Sequence, residues 1–270
     1  MLQRAISGSI FVVIVVGCIW WHPASLGVLL AILVIGGLTE FYRLAKKAKV
    51  SPQPITGVLA GATFLITHYG ATHFGMDAKW QWLTAVVAIA IPISELYRKS
   101  KTPFQNIAWT LFGILWVAVP FTLLNDMKLY SESYGAEYDP QVLLGYFFLL
   151  WTSDTCAYLS GKTFGKHKLF ERISPGKTWE GSIGGTILTV LIAWVVSMFF
   201  DGLETWQWMV MAALVAMFGT LGDLTESMFK RSIGVKDSGN IMPGHGGFLD
   251  RFDGVFISAP LVVVFLQLTS

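Results

Sequence analysis

Apolar residues in this chain come in long unbroken runs, with charge confined to the gaps between them. Runs of about 20 residues almost free of charge have the length that carries a helix across a bilayer. Nine such spans are expected, at approximately 4–21, 25–42, 55–72, 80–97, 104–125, 141–161, 181–200, 206–229 and 253–269. In lipid, an open segment must satisfy its backbone polar groups internally, and a helix does so. The pattern therefore predicts an all-α, polytopic membrane protein of about nine transmembrane helices. No soluble domain, low-complexity stretch or internal repeat interrupts it. Residues 1–140 are expected to form an N-terminal set of five spans that make up the membrane body. Residues 141–270 are expected to form the catalytic set with its loops.

Composition agrees. Of the 270 residues, 54% are hydrophobic and 13% charged, against roughly a quarter charged in a soluble domain. The net charge of +2 is too small to suggest a nucleic-acid partner. Cys18 and Cys156 both lie in or beside apolar runs and form no CxxC pair or disulfide framework. Val15-Val16-Gly17-Cys18 faintly resembles a bacterial lipoprotein cleavage box, but a membrane span accounts for the whole segment. Most of the eleven tryptophans fall near span ends, as interfacial anchoring predicts.

Basic residues set the orientation. With the N-terminus inside, 17 of the 19 Lys and Arg residues fall on the inner face, and only Lys79 and Lys128 fall outside. The outer loops hold Asp126, Glu132, Glu137, Asp139, Asp201 and Glu204. The N-terminus is thus expected in the cytoplasm, together with the polar segment Ser227–Asp253.

That segment concentrates the chemistry. On a helix, Asp223, Glu226, Ser227 and Lys230 share one face, and ionisable groups at that depth are costly unless they pair or bind something. A Glu226–Lys230 salt bridge is the plain structural alternative. The loop Ser232–Leu249 carries five glycines, including Gly246 and Gly247, and is surrounded by Lys230, Arg231, Lys236 and Arg251. Glycines let backbone N–H groups approach an anion closely, so phosphate binding is expected here. Asp250 and Asp253 follow at a helix start, where they also favour the helix dipole. Asp223 and Asp250 stand at the two ends of a loop joining adjacent antiparallel helices, so they are expected to meet. Magnesium prefers one or two carboxylates plus phosphate oxygens, and that pair would provide them.

A second cluster spans Asp154 to Gly181. Asp154 is a lone carboxylate inside a span, which points to function. Gly-Lys-Thr at 161–163 and 176–178 suggests a phosphate loop, but Cys156 and Glu171 stand where the first glycine is required. Lys162, Lys166 and Lys168 read equally as a positive-inside loop, while Lys177 and Glu180 lie close to the membrane in a Pro/Gly-shaped turn. His22, His68 and His73 are scattered, and Glu40 and Glu95 are expected simply to reach the interface.

Ser227-x-Phe229-Lys230-Arg231, Lys236-Asp237 and Pro243-Gly-His245-Gly246-Gly247-x-x-Asp250-Arg251-x-Asp253 together resemble the signature of the phosphatidate cytidylyltransferase (CDP-diacylglycerol synthase) family. Ser174-Pro-Gly-Lys177-Thr178-Trp179-Glu180-Gly181 resembles that family's Ser-Pro-x-Lys-Thr-x-Glu-Gly segment. Met242 departs mildly from the pattern, at constant volume. The resemblance covers the C-terminal half well and the first five spans hardly at all. It implies transfer of the cytidylyl group of CTP to phosphatidic acid, magnesium dependence, a second monovalent cation such as potassium, and a homodimer. The implied setting is a bacterial-type inner (plasma) membrane, with the active site facing the cytoplasm. On this reading Asp223 and Asp250 hold magnesium, and Asp253 or Asp154 assists or holds a second cation. Lys230, Arg231, Lys236 and Arg251 neutralise phosphates, Ser227 and the Gly246–Gly247 backbone donate hydrogen bonds, and His245 contacts the leaving pyrophosphate. Lys177, Glu180 and Asp154 contribute to substrate binding.

Two rivals remain. A CTP-dependent polyprenol or phytol kinase also joins a nucleotide site to a membrane lipid, but releases CDP. A transporter would show paired broken helices in two related halves, which this chain lacks. A CDP-alcohol phosphotransferase is excluded, because Asp253-Gly254 is not followed by the Ala-Arg that it needs.

Overall fold

The computed structural model describes residues 2–127, 138–239 and 246–269. Among the described residues, the regular elements are helices apart from one small hairpin. In order, the helices are α1 (Leu2–Trp21), α2 (Pro23–Lys47), α3 (Pro54–Phe74), α4 (Trp82–Tyr97), α5 (Pro103–Gly113), α6 (Val119–Leu123), α7 (Gln141–Phe164), α8 (Trp179–Val196), α9 (Thr205–Ser232), α10 (Leu249–Phe252) and α11 (Val255–Thr269). Among the described residues, seven helical segments are long and apolar enough to cross a membrane: Pro23–Lys47, Ala78–Tyr97, Pro103–Met127, Gln141–Phe164, Trp179–Val196, Thr205–Ser232 and Leu249–Thr269. Ile6–Trp21 is apolar but shorter. Pro54–Phe74 has the length, yet its Thr, Gly and His positions keep it out of that set. The protein is thus an all-α, polytopic membrane protein.

Local sequence explains where helices start and stop. Pro23, Pro54 and Pro103 each occupy a first helical position, where the missing N–H would have had no partner. His22 caps α2, its Nδ1 accepting from Ala24 N at 3.1 Å, while His22 N donates to Ser25 Oγ at 3.2 Å. Gly75 ends α3 with φ +62°, a left-handed cap that glycine adopts without steric cost. The span expected at 104–125 is not one uniform helix. A π-turn at Ile114–Ala118 separates α5 from α6, and Val119 N reaches back five residues to Ile114 O. Pro120 immediately follows and has no N–H to donate, so the ladder changes register just before it.

The basic stretch after α7 is a hairpin. Strands β1 (Lys168–Phe170) and β2 (Ser174–Thr178) pair antiparallel, with Lys168 opposite Thr178 and Phe170 opposite Ser174. Thr178 then caps α8, its Oγ1 accepting from Gly181 N at 3.1 Å.

The chain forms two compact units. The first comprises Met1–Asn125 with Ser232–Arg251, and the second Asp126–Arg231 with Phe252–Ser270. The first unit thus takes back the 20-residue loop segment. It is locked by a buried polar network around Glu95, a residue expected only to reach the interface. Glu95 accepts from Gln53 Nε2 (2.6 Å), Arg98 Nη1 (2.7 Å) and Asn106 Nδ2 (2.7 Å). These bonds tie the end of α4 to the start of α3 and to α5, and they offset the cost of a carboxylate that is 4% exposed. In the second unit, Trp208 is fully buried and fits over Gly145 of α7, where any Cβ would strike its ring.

Candidate active site

In the second unit, three carboxylates converge. Asp223 and Glu226 lie one turn apart on α9, and Asp253 stands in the step between α10 and α11. One oxygen from each lies within 4.8 Å of the others. Glycine makes the approach possible: at Gly222 a Cβ would run into the Asp253 carbonyl oxygen. Asp253 Oδ1 accepts from Gly254 N at 2.8 Å, and Ser227 Oγ donates to Asp223 Oδ1 at 3.2 Å. Asp253 also faces the charge of Asp154 on α7.

Two lysines attend the cluster. Lys177 Nζ, from β2, lies 2.5 Å from Asp223 Oδ2. Lys230 Nζ lies 2.8 Å from Glu226 Oε2, one turn along α9, so the salt bridge weighed as the plain alternative does form. It does not remove the chemistry. Two like charges 4.8 Å apart repel by about 3.5 kcal/mol at an effective dielectric of about 20, and three carboxylates make three such pairs. Two ammonium groups offset part of this. A hard divalent cation would offset the rest, and carboxylate oxygens are the donors such cations take. The residues therefore fit a divalent metal ion.

Glu180, expected to bind substrate, has partners of its own. Its carboxylate accepts from Lys166 N (3.1 Å) and His167 N (3.2 Å) and pairs with His167 Nδ1 at 2.5 Å. It thereby closes the base of the hairpin that presents Lys177. Arg231 is exposed at the end of α9.

Asp250, the expected partner of Asp223, belongs to the first unit together with Lys236, Gly246, Gly247 and Arg251. Within its own unit, Asp223 is joined by Glu226 and Asp253 instead. Asp250 Oδ2 accepts from Ser238 N, Ser238 Oγ and Gly247 N, all at 2.9 Å. Gly246 has φ +85°, and a Cβ there would meet the Asp250 carboxylate. Lys236 and Arg251 are exposed. His245 lies outside the described residues.

Sequence reasoning set Glu226 on the right helix face, with a Lys230 salt bridge as the alternative, but did not include it in the metal-binding set. It expected Glu40 only to reach the interface. This α2 residue is 1% exposed, and its carboxylate receives Ser238 Oγ (2.5 Å), Phe248 N (3.0 Å) and Leu249 N (3.0 Å). The available signal was a lone acid on an apolar helix of the half of the chain that carried no motif.

Fold and site together define a polytopic helical membrane protein in which a carboxylate cluster meets two lysines, with a glycine-rich loop nearby in sequence. The chain belongs to the cytidylyltransferase family, whose sequence model matches residues 2–269. It is 41% identical over 215 residues to a phosphatidate cytidylyltransferase of Staphylococcus saprophyticus, covering 78% of this chain and 79% of that protein. It is 40% identical over 211 residues to a phosphatidate cytidylyltransferase of Staphylococcus aureus, covering 77% and 78%.

Proposed function

We propose that this chain is a nucleotidyltransferase that moves the cytidylyl group of CTP onto phosphatidic acid, giving CDP-diacylglycerol and pyrophosphate for phospholipid biosynthesis. The observation that carries this reading is the convergence of Asp223, Glu226 and Asp253 beside Lys177 and Lys230, in a chain that matches the family from end to end.

An oxygen of the phosphatidate phosphomonoester attacks the α-phosphorus of CTP. The α–β bridging P–O bond breaks, and pyrophosphate leaves with the electron pair. The nucleophile is already an oxyanion at neutral pH, so no strong general base is needed. The protein's task is to position two mutually repelling anions and neutralise their charge. Lys177, Lys230, Arg231, Lys236 and Arg251 supply positive charge. Ser227 and the N–H groups of Gly246 and Gly247 supply hydrogen bonds, and His245 contacts the leaving pyrophosphate. Glu180 acts through the hairpin that carries Lys177. Asp223, Glu226 and Asp253 would hold Mg²⁺, which when bound neutralises phosphate oxygens as charge develops. Asp250 and Asp154 are further acidic contributors, with K⁺ as a second ion.

The family resemblance and the basic-residue bias support the rest of the proposal: nine spans, a cytoplasmic N-terminus, and an active site on the cytoplasmic face of a bacterial-type inner membrane. The acyl chains stay in lipid while the headgroup reaches the site between helices. The first five spans contribute to a homodimer contact. The test is incubation of purified protein with labelled CTP, phosphatidic acid and Mg²⁺, with both products identified. CDP-diacylglycerol with pyrophosphate is expected. Release of CDP with a phosphorylated lipid would replace the reading with that of a lipid kinase.

A further inference from the structure

Glu40 sits on α2, far in sequence from every motif that resembles the family, yet its carboxylate receives Ser238, Phe248 and Leu249 from either end of the glycine-rich loop. Oε1 accepts from Ser238 Oγ at 2.5 Å and Leu249 N at 3.0 Å, and Oε2 accepts from Phe248 N at 3.0 Å. Ser238 continues the chain of contacts, because its hydroxyl also lies 2.9 Å from Asp250 Oδ2, which takes Gly247 N as well. A single hydroxyl proton is thus shared between two carboxylates. Around them there is no slack. A Cβ on Gly247 would collide with both Glu40 oxygens, and one on Gly239 would lie 2.7 Å from Glu40 Oε2. One turn earlier on α2, Gly36 leaves space for the Phe248 ring, which a Cβ there would meet at 2.9 Å.

A carboxylate 1% exposed and facing three donors is worth more than a neutral acceptor, because charge-assisted bonds are about twice as strong as neutral ones. Its loss would leave two backbone N–H groups of the loop without their acceptor. The hydrogen bonds that Glu40 accepts come from Ser238, Phe248 and Leu249. It acts by fixing Gly247, Phe248 and Leu249, and through Ser238 it fixes Asp250.

We infer that Glu40 is a positioning residue for nucleotide binding: it holds Ser238 and the Gly247–Asp250 segment in the shape that receives the CTP phosphates. The inference rests on the proposed reaction and gives the N-terminal half a task in it beyond forming membrane body.

The test compares Glu40→Gln and Ser238→Ala with the parent protein, purified in detergent and normalised to folded material by size exclusion. Glutamine keeps the volume but turns one acceptor into a donor that faces the loop's N–H groups. The expected result is a rise in KM for CTP of about tenfold, equivalent to about 1.4 kcal/mol, with KM for phosphatidic acid unchanged. Ser238→Ala should move KM for CTP in the same direction by about threefold, and the double variant should fall short of additivity. Ser238→Ala also serves where Glu40→Gln fails to fold. Amide exchange at Phe248 and Leu249 should quicken in Glu40→Gln while α3 is unaffected. A KM for CTP within twofold of the parent in every folded variant would overturn the inference, whatever kcat does, because a merely structural glutamate would lower only the active fraction. Unchanged exchange at Phe248 and Leu249 would overturn it independently of turnover. If the parent releases CDP instead of pyrophosphate, the reaction assignment fails, while the KM for CTP still judges Glu40.

Discussion

Two groups of acids in this molecule, each built around one buried glutamate, look alike in composition and differ in what faces them. Around Asp223, Glu226 and Asp253, carboxylates face carboxylates, with Lys177 and Lys230 at the edge. Around Glu40 and Asp250, carboxylates face backbone N–H groups and a hydroxyl. Glu95 follows the second pattern, held by Gln53, Arg98 and Asn106. The first arrangement concentrates negative charge and calls for a cation. The second converts charge into geometry. An acid within a membrane helix is therefore not one kind of signal, and its partners decide whether it binds or braces.

The sharpest way to break the comparison is substitution that removes charge but keeps shape. Asp223→Asn should abolish CTP-dependent product formation, a loss of about a thousandfold or more of the kind seen when a charge-stabilising group is removed, with insertion and folding intact. Asp250→Asn should abolish turnover as well, but should also speed amide exchange at Ser238 and Gly247, which Asp223→Asn should leave alone. Near-normal turnover by Asp223→Asn, measured with labelled CTP, would dissolve the cation-binding half of the contrast.

Metal dependence comes next. Chelation should stop the reaction, and Mg²⁺ should restore it. Asp253→Asn should raise the Mg²⁺ needed for half-maximal rate by about tenfold. A Glu40→Gln protein should need no more Mg²⁺ than the parent, which separates binding acids from bracing ones.

Lys177→Met should lower kcat/KM for CTP by about a hundredfold, since it removes a cation aimed at the acidic cluster. The smallest effect is expected from Glu180→Gln. Its carboxylate touches the hairpin base and not the cluster, so turnover should fall only about threefold, as for loss of ordinary hydrogen bonds. A loss as large as that of Lys177→Met would move Glu180 from the hairpin to the substrate.

Much of this was legible in the sequence because membrane helices announce themselves by length and apolarity, and because Asp223, Ser227 and Lys230 recur at helical spacing on one face. Three things were not legible. The π-turn before Pro120 depends on how a helix absorbs a missing donor, which an apolar run does not record. The hairpin at 168–178 hid within a loop already explained by its positive charge. Glu40 was set aside because its partner Ser238 lies 198 residues away, and Glu95 because its local pair with Arg98 gave no sign of Gln53, 42 residues back. No local pattern encodes such distances. Glu226 was placed on the same helix face but given no metal-binding role, with the lysine at i+4 as an alternative partner.

The return of Ser232–Arg251 to the first unit makes the chain pass between its two bodies three times, after Asn125, after Arg231 and after Arg251. Its motifs are therefore not a detachable cassette. A fragment beginning at α7 would retain the polar motifs between Ser174 and Asp253 yet lack the α2 seat on which Phe248 and Leu249 rest. Grafting that fragment onto a foreign set of membrane helices should give a protein that inserts but cannot grip its nucleotide unless an acid is supplied where Glu40 stands.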